Sequence, residues 1–271
     1  MKFVTFTRGE TTAPGLWLEG GRILDLAAAG APEVQLDSTS LLSIIRGGAP
    51  ALDAVRALAA RIHDLEAYIH PRANVRLETP IPNPPRNIFC VGRNYVDHVA
   101  EGAKAMGLQT NIPKVPQFFT KATGAVNGPG MNVRLDPKVS PKLDYEVELG
   151  VVIGTAGRDI PAAAAFDHIF GYTIVNDVSA RDLQRMHEQW FKGKSLDTCC
   201  PIGPCIVTRD EIGDVTQLEL SITINGERRQ HARVNQMIFD IPRIVSDLSA
   251  GLTLLPGDII ATGTPSGVGF A

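Results

Sequence analysis

Apolar side chains recur along this chain at two spacings. Near the N-terminus, Phe3–Thr7 and Gly15–Leu18 read as β-strands, where successive side chains point to opposite faces. From about Ala51 the period lengthens: Leu52, Val55, Leu58, Ala59, Ile62 and Leu65 fall on one stripe of an α-helix. Thr79–Pro85 then carries prolines at 80, 82, 84 and 85, which removes backbone donors and forbids helix. The pattern divides the chain into a small unit at 1–70, a Pro-rich connection at 71–86 and a larger unit at 87–271. In the larger unit, Asn87–Val91 reads as a buried strand. Leu218, Leu220, Ile222 and Ile224 alternate with polar residues and run into Asn225-Gly226, a strong type I′ hairpin signal. Ile160–Asp167 and Ala180–His187 read as helices, the second opened by a capping box of Ser179 and Asp182. There is no internal repeat and no regular βαβ rhythm, so the expected class is a β-rich α/β fold.

Several segments break the apolar pattern with groups that could carry chemistry. In Leu143–Leu149, strand alternation puts Tyr145, Val147 and Leu149 on one face and Asp144, Glu146 and Glu148 on the other. The continuously apolar Val151–Ile153 that follows marks an interior strand. Carboxylates lined up at its end repel one another, and burial raises the cost. A divalent cation would relieve both penalties, and oxygen ligands favour Mg²⁺, Mn²⁺ or Ca²⁺ over Zn²⁺; a solvated polar face on an edge strand is the competing reading. Asp177 follows the apolar run Tyr172–Val175 and could be a third ligand or the cap of the next helix. His98 and Glu101, three apart, share a face in a helical turn and would make an oriented general base, or an ordinary surface pair. Thr262–Gly269 is a glycine-rich turn after the apolar Asp258–Ala261, and its N–H groups could hold an anion. Gly193-Lys194-Ser195 is not a phosphate loop, because the required upstream glycine is Glu188. No dinucleotide fingerprint and no Gly-x-Ser-x-Gly elbow occurs.

Composition narrows the classes. A net charge of -3 with unclustered basic residues gives no case for nucleic acid, and no apolar run is long enough to cross a bilayer. Cys90, Cys199, Cys200 and Cys205 lack C-x-x-C spacing and fit packing roles in a reducing cytoplasm.

Taken in order, Val-Gly-Arg-Asn-Tyr-Val-Asp-His, Asp-Tyr-Glu-Val-Glu-Leu-Gly, Asn-Asp-Val-Ser-Ala-Arg-Asp-Leu-Gln, Gly-Lys-Ser and Gly-Asp-Ile-Ile-Ala-Thr-Gly-Thr-Pro-Ser-Gly-Val-Gly resemble the fumarylacetoacetate hydrolase family over about 85–271. Residues 1–70 look like the small N-terminal α+β domain of its longer bacterial members. The resemblance implies a mixed β-sandwich roll, a homodimer and bound Mg²⁺ or Mn²⁺. It implies Glu146, Glu148 and Asp177 as metal ligands, and His98 with Glu101 as the water-activating pair on a lid of about 96–109. It further implies Lys194 stabilising developing negative charge, with Arg181, Gln184, Thr264 and Lys121 at substrate-contacting positions. Relatives continue a few dozen residues past the position of Ala271, so the C-terminal sheet is expected to be incomplete here.

The implied reaction is C–C cleavage of an acylpyruvate-type 1,3-dioxo acid. The metal would chelate the carboxylate and 2-oxo oxygens, His98 would deprotonate water, and Lys194 would offset the oxyanion. Oxaloacetate-type decarboxylation, dienoate isomerisation and ureidoglycolate-type lyase chemistry fit the same residues. A metal-binding protein without turnover is the remaining alternative, and His98, Glu101 and Lys194 argue against it.

Overall fold

The computed structural model describes residues 1–30, 37–105 and 107–270. Ala271, where the sheet is expected to stop short, and Met106, within the expected lid, lie outside the described residues. The chain opens with strands β1 (Lys2–Arg8), β2 (Thr11–Leu18) and β3 (Arg22–Asp25), then helices α1 (Leu26–Ala29), α2 (Leu41–Arg46) and α3 (Gly48–Ala60), then β4 (Ile69–Pro71) and β5 (Arg76–Leu77). After the Pro-rich segment come β6 (Ile88–Gly92), α4 (Val96–Ala105), β7 (Gln117–Lys121), β8 (Val126–Asn127), β9 (Leu143–Asp144), β10 (Val147–Ile153), β11 (Ile169–Asn176) and β12 (Ser179–Ala180). The remainder is α5 (Arg181–Met186), α6 (Phe191–Lys194), β13 (Cys200–Pro201), β14 (Ile206–Thr208), α7 (Arg209–Ile212), β15 (Glu219–Ile224), β16 (Glu227–Arg233), α8 (Ile241–Ser249) and β17 (Ile259–Ala261).

One large mixed sheet organises these elements, in the order β4-β3-β2-β1-β14-β11-β10-β17-β6-β7, with β5 also on β1. Its pairings are antiparallel except β17 with β6, which is parallel. The sheet does not close into a barrel. It crosses the sequence boundary without a gap, because β1 pairs with β14. Both faces are covered, which is why its central strands read as continuous apolar runs rather than alternating ones. On one face Phe3, Leu24, Ile88, Cys90 and Val152 pack with the N-terminal helices. On the other, Val147, Leu149, Val151 and Ile260 pack against α8. That helix is locally well specified: the Asp240 carboxylate caps it by accepting from Arg243 N–H at 2.8 Å, and Ile241, Ile244, Val245 and Leu248 form its buried stripe. Among the described residues, no helix is long and apolar enough to cross a membrane.

Several local expectations change. The apolar stripe starting near Ala51 is not one helix: α3 ends at Ala60, and Ile62–Tyr68 continues as 3-10 turns that still bury Leu65. Ile160–Asp167 is likewise a 3-10 segment, Ala162–His168, entered through Pro161. The capping box is not formed. Ser179 is held in β12 against Asp144, so its hydroxyl turns back to donate to the Asp177 carbonyl at 2.9 Å, and Asp182 instead accepts from Ser140 at 2.5 Å. The hairpin matches its signal, with Asn225 and Gly226 at φ 51° and 85° between β15 and β16.

Candidate metal centre and active-site cavity

Sheet register brings the acidic residues together. β10 and β11 run antiparallel with Val147 opposite Asn176, so the residues just outside the pairing, Glu146 and Asp177, meet: Asp177 N–H donates to the Glu146 carbonyl at 2.8 Å. Glu148 projects from the same end of β10. The strand expected over Leu143–Leu149 is interrupted at Tyr145–Glu146, yet Asp144, Glu146 and Glu148 are all buried and all engage this end of the sheet. Carboxylate oxygens of Glu146, Glu148 and Asp177 lie within 4.8 Å of one another.

Cations fill part of this cluster. Lys194 Nζ donates to Glu146 Oε2 at 2.7 Å and to Asp177 Oδ2 at 2.6 Å. Lys121 Nζ donates to Asp177 Oδ1 at 2.7 Å and to the Val178 carbonyl at 3.0 Å. Arg181 donates through Nε to Asp144 Oδ2 at 2.8 Å, lies 2.6 Å from Glu146 Oε1 through Nη1, and reaches Gln184 Oε1 at 3.2 Å. Burial alone would raise the Glu146 carboxyl and lower the Lys194 ammonium. Their mutual attraction, with Arg181 on Glu146 and Asp177 on Lys194, reverses both: Glu146 is held well below the usual carboxylate range and Lys194 well above the usual ammonium value.

Four buried carboxylates thus face three buried cations, and the unbalanced charge falls on Glu148. Among the described residues Glu148 makes no ion pair. Its Oε2 accepts only from Gly263 N–H, at 2.7 Å. Burial, then the Asp177 and Glu146 charges, push its carboxyl well above the usual range. This is the donor set a hard divalent cation fits: clustered oxygens, one carboxylate lacking a counter-charge, and lone pairs left over on the other two. Glu146, Glu148 and Asp177 are the residues that could hold a divalent cation.

The glycine-rich turn after β17 holds anions, but they are the protein's own. Gly263, Gly267 and Gly269 N–H groups donate to Glu148, Glu101 and Asp144 respectively, at 2.7–3.1 Å. The turn therefore ties together the metal site, helix α4 and the Arg181 anchor. Gly267 is irreplaceable on steric grounds, with φ +98° and the Arg229 carbonyl oxygen 1.9 Å from where a Cβ would sit. Gly267→Ala should lower stability by about 1–3 kcal/mol or more, seen as an earlier denaturant midpoint; an unchanged midpoint would contradict this account.

The remaining expected residues are placed as follows. His98 and Glu101 share a face of α4, with His98 Nδ1 3.5 Å from Glu101 Oε2; that nitrogen is buried and has no hydrogen-bond partner among the described residues, while the Glu101 carboxylate accepts from Gly267 N–H. Thr264 is buried, donating to the Val147 carbonyl at 2.9 Å and accepting from Gln230 at 2.8 Å. The Gly-Lys-Ser run has a positioning role. An added Cβ on Gly193 would lie 2.5 Å from Gln184 N, so glycine lets α6 approach α5, and the Ser195 hydroxyl accepts from Ala122 N–H at 3.0 Å, fixing the strand end that carries Lys121. A cavity of about 930 Å³ opens over this floor, with His98, Glu146, Glu148, Lys194, Gln184 and Thr264 among the residues facing it. Phe119 and Trp190 form an apolar wall, their rings 5.2 Å apart edge to face. Sequence reading did not assign Asp144 a role; its signal was the alternation that set it on the face of Glu146 and Glu148.

Residues 87–271 match the family described as "Fumarylacetoacetate (FAA) hydrolase C-terminal". The chain is 43% identical over 275 residues to the oxaloacetate tautomerase YisK of Bacillus subtilis (strain 168), covering 99% of this chain and 90% of that protein. It also superposes on a maleylpyruvate hydrolase from Sphingobium sp. SYK-6 in complex with manganese(II) ion and pyruvate, with TM-score 0.77, 33% identity and coverage of 99% of this chain and 90% of that one. A 2-hydroxyhepta-2,4-diene-1,7-dioate isomerase from Mycobacterium marinum gives TM-score 0.74, 34% identity and coverage of 99% and 89%.

Proposed function

From the chain's place in the fumarylacetoacetate hydrolase family, to which it belongs, we propose that this enzyme moves a proton between carbon and oxygen of a small 2-oxo dicarboxylic acid, interconverting the keto and enol forms of oxaloacetate. The observation that carries the reading is the state of His98. It faces the same cavity as Glu146 and Glu148, its Nδ1 bonds to no described residue, and Glu101 is committed to Gly267. An imidazole that faces the cavity with Glu101 Oε2 3.5 Å from its Nδ1, but no hydrogen bond fixing that nitrogen, can both take and return a proton, which tautomerisation requires in each direction.

A divalent cation held by Glu146, Glu148 and Asp177 would supply electrophilic stabilisation of the charge that develops on the 2-oxo oxygen. His98 would accept the C3 proton and deliver it to oxygen, or the reverse. Lys194, bonded to Glu146 and Asp177 together, keeps two carboxylates in register and brings positive charge to the cavity floor. Phe119 and Trp190 would present an apolar wall to the substrate. The same reading takes the working form to be a cytoplasmic homodimer without nucleic-acid or membrane partners.

Cleavage of acylpyruvates is the second reading. The cavity, at about 930 Å³, exceeds what a four-carbon acid fills and leaves room for an acyl substituent. The deciding experiment compares, on purified protein with Mg²⁺ or Mn²⁺, the rates of oxaloacetate keto–enol equilibration, oxaloacetate decarboxylation and acetylpyruvate cleavage. Tautomerisation should have the highest kcat/KM, vanish on chelation and return with metal. A higher value for acetylpyruvate would replace this reading with the hydrolase.

A further inference from the structure

The buried cations of the reaction centre are already committed: Lys121, Lys194 and Arg181 are each bonded to protein carboxylates. A ligand with a second carboxylate needs positive charge from elsewhere in the cavity. Two further guanidinium groups face it, Arg93 and Arg185, and neither makes an ion pair among the described residues. Glu188 is the acidic residue on the same outer wall. Arg185 is exposed, with its guanidinium over the Phe270 ring at 5.7 Å.

Arg93 is different, because its backbone is over-determined. It sits just past β6 at φ 58°, a left-handed conformation that a long side chain adopts at a cost of about 1–3 kcal/mol. Both neighbours hold it there. An added Cβ on Gly92 would lie 2.3 Å from the Trp190 ring, so the chain passes flush against that wall. Asn94 is fully buried, donating through Nδ2 to the Phe239 and Thr262 carbonyls at 3.0 and 2.8 Å and accepting at Oδ1 from Phe239 N–H at 2.8 Å. The guanidinium reaches a second segment lining the cavity, where Nη2 donates to the Asn111 carbonyl at 2.7 Å, leaving its other N–H groups for a ligand. Strain maintained at a cavity wall, with the charge unneutralised, is what a preorganised anion contact requires.

We infer that Arg93 is a specificity-determining residue that receives the distal carboxylate of a dicarboxylic ligand whose 2-oxo (or 2-hydroxy) acid end lies over Glu146 and Glu148. The inference rests on the reading of the site given above. It assigns Arg93 selectivity rather than turnover, with Arg185 contributing weakly.

L-Malate and L-lactate test this without chemistry, since both carry the 2-hydroxy acid and only malate has the second carboxylate. Titration calorimetry on the Mn²⁺-loaded protein should show malate bound about 10–100-fold tighter, the usual worth of a charge-assisted contact. Arg93→Gln should bring that ratio close to one while lactate affinity stays as it was, and Arg93→Lys should keep part of the preference. Arg93→Gly, which accepts the left-handed backbone without strain, should give the same collapse if the glutamine variant folds poorly. Arg185→Gln should change the ratio by less than about 3-fold, on the scale of an exposed pair. Undiminished malate preference in the Arg93 variants, or no preference in the parent protein, overturns the assignment. Failure to tautomerise oxaloacetate, with the malate ratio still collapsing on Arg93→Gln, would remove the proposed reaction and leave the carboxylate site standing.

Discussion

Glu148→Ala should reduce turnover by on the order of 10³-fold or more, because it deletes the carboxylate that carries the unbalanced charge of the candidate metal site. Loss of electrophilic stabilisation is worth several kcal/mol, and each 1.36 kcal/mol is tenfold in rate. Yet the metal-free variant should be more stable than the metal-free parent, since the parent must bury a carboxylate whose neighbours, Asp177 and Glu146, oppose its ionisation. The sign with pH follows. Glu148 in the folded protein has a raised pKa, so between the ordinary carboxylate range and that raised value the folded state holds a proton that the unfolded state has lost. Its contribution therefore falls as pH rises through this window. Measured relative to Glu148→Gln, the metal-free parent protein should lose stability on moving from acid toward neutral pH, while the carboxyls held low, such as Glu146, contribute the opposite slope in both proteins; added Mn²⁺ should cancel the difference by displacing the proton. Denaturant midpoints across pH, with and without Mn²⁺, are the measurement. A parent slope identical to that of Glu148→Gln would refute the charge imbalance.

His98→Ala should cut oxaloacetate tautomerisation by about 10²–10⁴ while leaving Mn²⁺ affinity near normal, because in the proposed reaction the ring moves a proton and lies outside the carboxylate cluster that could hold the metal. Decarboxylation, which needs no proton taken from C3, should suffer less. Glu101→Gln separates two functions. If Glu101 mainly fixes α4 to the Gly267 N–H, the amide oxygen can still accept that bond, and the variant should lose only a fewfold. If it instead charges the imidazole, the loss should approach that of His98→Ala. Measuring both reactions on each variant at saturating Mn²⁺ distinguishes these. Equal losses of both activities in His98→Ala would make His98 a binding residue rather than a proton carrier.

What the sequence determined is local and periodic. The continuous apolar runs of β10 and β11, the Asn225-Gly226 turn and the stripe of α8 follow from side-chain spacing, because a period of two or 3.6 fixes which face is buried before any partner is known. The acidic alternation at 144, 146 and 148 was legible for the same reason, and the ordered motifs carried the family. Helix type was not legible: a stripe cannot distinguish an α-helix from the 3-10 turns at Ile62–Tyr68, since both bury residues three apart. Nor could the sequence say which anion the glycine-rich turn would hold, which cation would meet which carboxylate, or that Glu101 would bond Gly267 rather than His98. Those pairings join residues as far as 166 positions apart, and sheet register sets them. Arg93 shows the limit most clearly. Its type is visible in the chain, but its left-handed backbone, its neighbours' packing against Trp190 and into the core, and its lack of an ion pair among the described residues are visible only in the tertiary structure.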